Sequence, residues 1–338
     1  MTYPTVCVNS FLILALLCGC SSGDQETADT DSVPPETYPL FFSTMTHMEG
    51  GHPDDDSEMV FNVHVQALRD TIALASEYNG RITIESEIPF ATGCDKWGTN
   101  MMLEILEAGH GVGTHCDISD PFEENTTHEA YVADLKAKKA AVDALVGAGN
   151  NLGCSGAGGG TLDWVQGMTD AGFGYINATV SMHYLSMNPE VWPDPAWTKQ
   201  YIMTQISHEP SPADLYDRIY LRKLADSSDF EHDDDGLLVL SSGGLGRPDA
   251  QAAGEADDVF TMTDVDALVA TLEEVNQKRD STRVAKIELH LSLEHLVDAT
   301  WPVLTYFFSE MERLQEAGTI QWATQAEIYQ AYVQSLTD

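Results

Sequence analysis

Basic residues are scarce in this chain. Only 16 Lys and Arg stand against 54 Asp and Glu in 338 residues, a formal charge of −38. A surface of that sign repels phosphate, which disfavours nucleic acid as a partner, and anionic polymers and anionic lipid headgroups with it. Cysteine is sparse too, and no CxxC spacing suggests a zinc-binding pair. The apolar run Phe11–Leu17 is too short to cross a bilayer. What is abundant is hydrophobic residues, at 43%, enough for one large core.

The first residues read as a processing segment. Phe11–Leu17 leads into Leu17-Cys18-Gly19-Cys20, which resembles the bacterial lipoprotein signal, although no Lys or Arg precedes it. On that reading residues 1–19 are removed, and Cys20 becomes the lipidated first residue of an exported cell-envelope protein held to a membrane only by its lipid. A plain secretory signal is the other reading. Residues 20–37 are polar, acidic and proline-containing, a flexible tether. With Cys7 and Cys18 removed and Cys20 acylated, Cys94, Cys116 and Cys154 remain. Three thiols allow at most one intrachain disulfide, and the sequence does not choose the pair.

From residue 38 onward, strand-like and helix-like patterns alternate. Strands are expected at 38–46, 81–85, 111–114, 150–154, 174–178, 236–241, 284–292 and 320–323. Helices are expected at 58–78, 97–108, 128–146, 161–171, 265–278, 299–317 and 325–336. In the helix 128–146, Lys136, Lys138 and Lys139 are expected on the outer side. Residues 181–235 are irregular and rich in Trp, Pro and Tyr, an insertion or set of functional loops. Alternation of this kind implies a parallel sheet with right-handed crossovers. Seven or eight such units over residues 38–338 favour a (β/α) barrel over an open sheet.

In such a barrel the reactive face lies at the C-terminal ends of the strands. His115 and Asp117 follow the third strand; alternation projects them together and turns Cys116 away. His47 and Glu49 follow the first strand, and His290 lies near the end of the strand 284–292. Two imidazoles and two carboxylates suit one divalent metal, zinc foremost. Each residue also has a plainer reading, Asp117 as a helix cap and the histidines as hydrogen-bonded core residues. His52 with Asp54, Asp55 and Asp56 forms a further cluster that suits calcium or simply an exposed acidic loop.

The order and spacing of these pieces resemble the polysaccharide deacetylase (NodB-type carbohydrate esterase) family. Thr46-His47-Met48-Glu49-Gly50 stands where that family has T-F-D-D-G, and Gly109–Cys116 follows its G-H-x-[IV]-G-x-H-[ST] motif. Leu289-His290 matches its late L-H, and Trp322–Ile328 its closing aromatic-x-T-x-x-E-I element. The resemblance implies a deformed β/α barrel and metal-assisted removal of N- or O-acyl groups from a carbohydrate, with His290 as general acid and Glu49 in the catalytic set. Within the same motif His110 reads as structural. Met48 takes the place of the family's proton-transferring Asp and Ser119 that of its second metal His. No Arg occurs near residues 155–159, where the family has one.

Those departures support a second expectation, a non-catalytic carbohydrate-binding protein on the same fold. Glu85 and Glu87 keep open a third, a glycosidase, which needs two carboxylates flanking a bond. Trp192 and Trp197, with Tyr201 and Tyr216, are candidates to stack on sugar rings or to form the insertion's own small core. The N-terminal reading has a direct check. Full-length chain expressed in bacteria should incorporate fatty-acid label, and Cys20→Ala should lose the label and leave the membrane fraction. Undiminished labelling of the variant contradicts it.

Overall fold

The computed structural model describes residues 37–117, 126–158, 160–232, 235–252, 259–297 and 300–337. Cys20 and Ser119 lie outside these residues. Residues 36–338 cluster as one compact unit.

The central strand is β1 (Leu40–Met48), buried along its whole length. It pairs in parallel with β8 (Ala285–His290) on one side, and on the other with β2 (Ile82–Ser86) from Thr44 onward and with the short β9 (Gln321–Trp322) at Phe41 and Phe42. From β2 the sheet runs through β3 (Gly111–His115), β4 (Gly153–Ser155), β5 (Tyr175–Asn177) and β7 (Leu238–Ser241), all parallel. Its last strand is β6 (Arg222–Leu224), antiparallel to β7. β6 belongs to the stretch 181–235, so that insertion supplies an edge strand as well as loops. The expected deformed barrel is therefore present.

Closure onto β8 is made by single bridges, from Tyr220 just before β6 to Ala285 and from Gly244 just after β7 to Glu288. Lys286 N donates to Ile219 O (2.8 Å), and Glu288 N to Gly243 O (3.0 Å). Gly243 has φ +89°, and a Cβ there would fall 2.0 Å from Lys286 O, so only glycine permits the approach.

Helices α1 (Glu58–Glu77), α3 (Met101–Glu107), α4 (His128–Val146), α5 (Trp164–Ala171), α8 (Met262–Lys278), α9 (Trp301–Glu316) and α10 (Gln325–Ser335) surround the strands. Their starts follow from side-chain caps. Ser57 accepts from Val60 N, Thr127 from Ala130 N, and Thr261 and Thr324 form capping boxes with Asp264 and Glu327. The expected helix 97–108 begins only at Met101, because Gly98 takes φ +71° and Asn100 caps. An additional helix, α2 (Ile88–Lys96), precedes it. Its Gly93 faces Asp54 O and the Phe61 ring, each 2.9 Å from where a Cβ would sit, which lets α2 lie close to α1. Two further short helices, α6 (Lys199–Gln205) and α7 (Leu215–Arg218), lie within the insertion.

One expectation about α4 is corrected. Lys136 is exposed, but Lys138 and Lys139 are buried. Their ammonium groups answer carbonyls at the ends of neighbouring segments, Lys138 that of Asp117 and Lys139 that of Asn151 (2.8 Å). Long apolar stems make such burial tolerable once the head is paired. Cys94, Cys116 and Cys154 are buried free thiols, so no disulfide joins them.

Even-numbered residues of β1 (Leu40, Phe42, Met48) enter the apolar layer beneath the helices. Phe42 meets Phe307 at 6.2 Å and Trp322 at 5.5 Å between ring centroids. Phe42→Ala should cost about 3–5 kcal/mol by loss of burial and creation of a cavity. Chemical denaturation of the two proteins measures it, and a loss below about 1 kcal/mol contradicts this packing.

Candidate metal centre

The other face of β1 carries Met45 and His47 and continues to Glu49, and all three line a cavity of about 860 Å³ at the C-terminal ends of the strands. His115 at the end of β3, Ser155 at the end of β4, Asn177 at the end of β5 and His290 at the end of β8 line the same cavity. Segments far apart in sequence therefore meet because parallel strands all terminate on one rim. Register sets their levels: His47 pairs with Glu85, His115 with Ser155, and Met45 with His290.

Glu49 spans two imidazoles. One oxygen is 3.6 Å from His47 Nδ1, and the other is 3.3 Å from His115 Nε2. The two rings stack at 3.8 Å between centroids, with 17° between planes. One potential ligand atom from each of His47, Glu49 and His115 lies within 4.8 Å of the others. The opposite nitrogen of each ring is occupied. His115 Nδ1 meets Ser155 Oγ at 2.9 Å. His47 Nε2 meets Ser155 Oγ at 3.1 Å and Glu85 at 3.4 Å. Glu85 also accepts from Ser155 and Asn177. Orientation of ligand imidazoles through their far nitrogen by a carboxylate or hydroxyl is what metal sites require. The residues present thus fit a divalent ion held by two nitrogens and one carboxylate.

Two glycines make the approach possible. A Cβ on Gly156, at φ +74°, would sit 3.0 Å from His115 Cε1, and one on Gly113 would sit 3.1 Å from Glu85 Cγ.

Charge follows from this packing. Burial pulls the His47 imidazole down, but hydrogen bonds to Glu49 and Glu85 outweigh it and raise its pKa from 6.5 to about 9. Burial opposes ionisation of Glu49 and Glu85 as well. The histidines nevertheless hold Glu49 far below the carboxylate range, and His47 with Ser155 holds Glu85 below it. His290, 4.4 Å from the His47 ring, is pushed well below the usual histidine value by burial and by the His47 charge. Its Nε2 has no hydrogen-bond partner among the described residues.

The remaining sequence candidates fall as follows. Asp117 lines the cavity but is not one of the three donors that come together. Cys116 faces the opposite way, into an apolar cluster with Tyr131, Cys154 and Trp164. His110 is structural: Nδ1 accepts from Ile82 N at 3.3 Å, which leaves Nε2 to donate to Ile72 O at 3.2 Å. Trp192 and Trp197 are not on the cavity wall. Trp192 Nε1 donates to Tyr184 O (2.7 Å) and Trp197 packs edge-on against Tyr184, so they lie at the margin of an apolar cluster that the insertion shares with α4 and α5. Glu87 accepts from Gly50 N at 2.8 Å and holds the turn after β1. Neither Glu85 nor Glu87 is among the cavity-lining residues.

Sequence reasoning passed over Ser155, Asn177 and His183. Ser155 and Asn177 follow from the strand-end rule, since they close β4 and β5, whereas no strand end signals His183. His183 lies beyond β5 against the cavity, and burial lowers its pKa from 6.5 to about 4.

No protein-family model matches the sequence, and no curated protein matches it. Solved structures do share the fold. A Mycobacterium smegmatis protein assigned as a polysaccharide deacetylase superposes with a TM-score of 0.55 at 12% identity, over 89% of this chain and 94% of that one. A Pseudomonas aeruginosa protein with the same assignment gives 0.50 at 12%, over 86% and 90%. A 4-alpha-glucanotransferase from Thermococcus litoralis gives 0.50 at 11%, over 87% of this chain but 38% of its own. The fold is thus that of polysaccharide deacetylases, on a scaffold that also carries other sugar chemistry.

The protonation of His47 is measurable. The stability its proton contributes to the metal-free protein is complete below about pH 6.5 and is lost as pH rises through about 9. A metal ligand must be unprotonated, so zinc binding at pH 7 should expel about one proton from this ring. Calorimetry in two buffers of different ionisation enthalpy should show it, and His47→Asn should abolish it. Zinc binding with no buffer dependence contradicts the assignment.

Proposed function

We propose that the protein is a metal-dependent hydrolase that removes N- or O-acyl groups from a carbohydrate. The observation that carries this reading is the trio of His47, Glu49 and His115, backed by Ser155 and Glu85, at the floor of a cavity large enough for sugar units. Two imidazole nitrogens and one carboxylate are a zinc-type donor set with room for further ligands. A divalent ion held there would supply Lewis acidity toward an acyl oxygen and a water of lowered pKa.

The chain's own residues account for the rest. Glu49 stays ionised, as a ligand must. Ser155 and Glu85 fix both rings. His290 is neutral at pH 7 and its Nε2 is unpartnered, so it is able to accept the proton of the attacking water. Passing that proton to the departing nitrogen or oxygen completes hydrolysis with the ring neutral again. This places His290 first as base and then as acid, where the sequence suggested an acid alone. Met48 takes no part: it is fully buried on the helix-facing side of β1. We further propose that a lipid on Cys20 tethers this domain to the bacterial cell envelope.

The buried Met48 also favours a second reading, a sugar-binding protein without turnover, since the position at which the deacetylase resemblance expects a proton-transferring Asp cannot transfer protons here. Acetate release from N- and O-acetylated oligosaccharides decides between them. Zinc-loaded protein should release acetate and a chelator should stop it. His115→Ala and Glu49→Gln should lower the rate at least 100-fold, and His290→Ala by about 10²–10⁴-fold, the usual worth of a proton-transfer group. Sugar binding that persists in His115→Ala, with no acetate released by any form, would select the second reading.

A further inference from the structure

The turn that presents Glu49 leads straight into another group of donors. His52 N donates to Glu49 O (3.1 Å), and two residues later Asp54 turns inward, fully buried. His64, one and a half turns into α1, comes back over it: His64 Nδ1 meets Asp54 Oδ1 at 2.7 Å. The rings of His52 and His64 lie 4.9 Å apart between centroids. One ligand atom from each of His52, Asp54 and His64 lies within 4.8 Å of the others. None of these residues belongs to the His47, Glu49 and His115 group.

An Asp–His pair that merely pins a loop to a helix would explain the 2.7 Å contact. It leaves two atoms unexplained. Asp54 Oδ2 and His52 Nδ1 are both buried without a hydrogen-bond partner among the described residues. A carboxylate oxygen and an imidazole nitrogen both left bare within one small cluster is an arrangement that buried polar groups ordinarily avoid. One cation answers both at once, because each offers a lone pair and neither requires a proton there.

The backbone around the group is firmly held. Trp97 Nε1 donates to Asp54 O (2.8 Å), and Lys96 reaches the carbonyl of Asp55. Gly93 lies against Asp54 O. Asp54 is therefore fixed from α2 and its C-terminal end, while His64 is fixed by α1. His52 also lines the large cavity, which gives an ion a route in from solvent.

We infer that His52, Asp54 and His64 form a second cation site, for a zinc-class first-row divalent ion. Two imidazoles and one carboxylate select that class over calcium, which takes six to eight oxygens. The ion would tie the loop after β1 to α1, and so steady the turn from which Glu49 projects. Its role is structural, and it stands whether or not the first site is catalytic.

Zinc content of metal-stripped, full-length protein re-equilibrated with excess zinc and then desalted tests the inference. Wild type should retain two equivalents, Asp54→Asn and His64→Gln one each, and His115→Ala one. Zinc should still raise the melting temperature of His115→Ala, and should do so less for His64→Gln than for wild type. His64→Gln, at a partly exposed position, gives the result even where Asp54→Asn fails to fold. One equivalent in wild type, kept by His115→Ala but lost by His64→Gln, would uphold this site and sink the proposed hydrolase centre. Equal zinc uptake by wild type and His64→Gln overturns the inference.

Discussion

A carboxylate lodged between two stacked imidazoles organises the upper rim of this barrel. Glu49 reaches Nδ1 of His47 and Nε2 of His115, and each ring is steadied from behind by Ser155, with Glu85 below His47. The arrangement is costly without a compensating charge. His47 and Glu85 are buried and Glu49 is half-exposed, and burial alone would press all three toward their neutral forms. The two carboxylates stay ionised in the metal-free state because a proton on His47 stands in for a cation between Glu49 and Glu85. A divalent ion replaces that proton with a stronger partner for the same carboxylate.

The rest of the fold serves this junction. Parallel pairing puts the ends of β1, β3, β4, β5 and β8 on one side, and glycines at 113 and 156 leave space for Glu85 and His115. Beneath the site the barrel interior remains polar. Lys286 bonds Ser241 O, Glu288 and Gln325 with no exposure to solvent. Burial presses that ammonium toward neutrality and pushes the Glu288 carboxyl upward, so the pair is held by mutual contact rather than by water. The apolar layer lies outside the strands instead, where Phe42, Phe307, Phe308 and Trp322 interlock under the helices.

Much of this was legible in the sequence for reasons that can be named. The alternation of short apolar runs with 3.6-residue patterns determines a parallel barrel, and the rule that such barrels react at strand ends brings His47, Glu49, His115 and His290 together. Period-two alternation along β1 separates Met48 from His47 and Glu49. What escaped has equally physical causes. Helix α2 carries Pro89, Gly93 and few repeating apolar positions, so its periodicity is hidden; tertiary contact with α1 makes it a helix. Lys138 and Lys139 looked like a solvated face because a charge gives no sign of a carbonyl waiting across the core. Trp192 and Trp197 suggested sugar stacking, and packing against Tyr184 is a matter of where the insertion folds, which composition does not encode. Asp117 illustrates the limit of alternation: it does face the cavity with His115 while Cys116 turns away, but sharing a face does not bring its carboxylate among the donors of His47, Glu49 and His115.

The central claim is that His47, Glu49 and His115 grip one ion. Anomalous diffraction at the zinc edge from zinc-loaded crystals tests it most directly. The account predicts a peak bonded to a Glu49 oxygen, His47 Nδ1 and His115 Nε2, with Ser155 and Glu85 still on the far nitrogens. Full zinc loading with no peak at that position, or a peak there whose ligands omit His47, would contradict it.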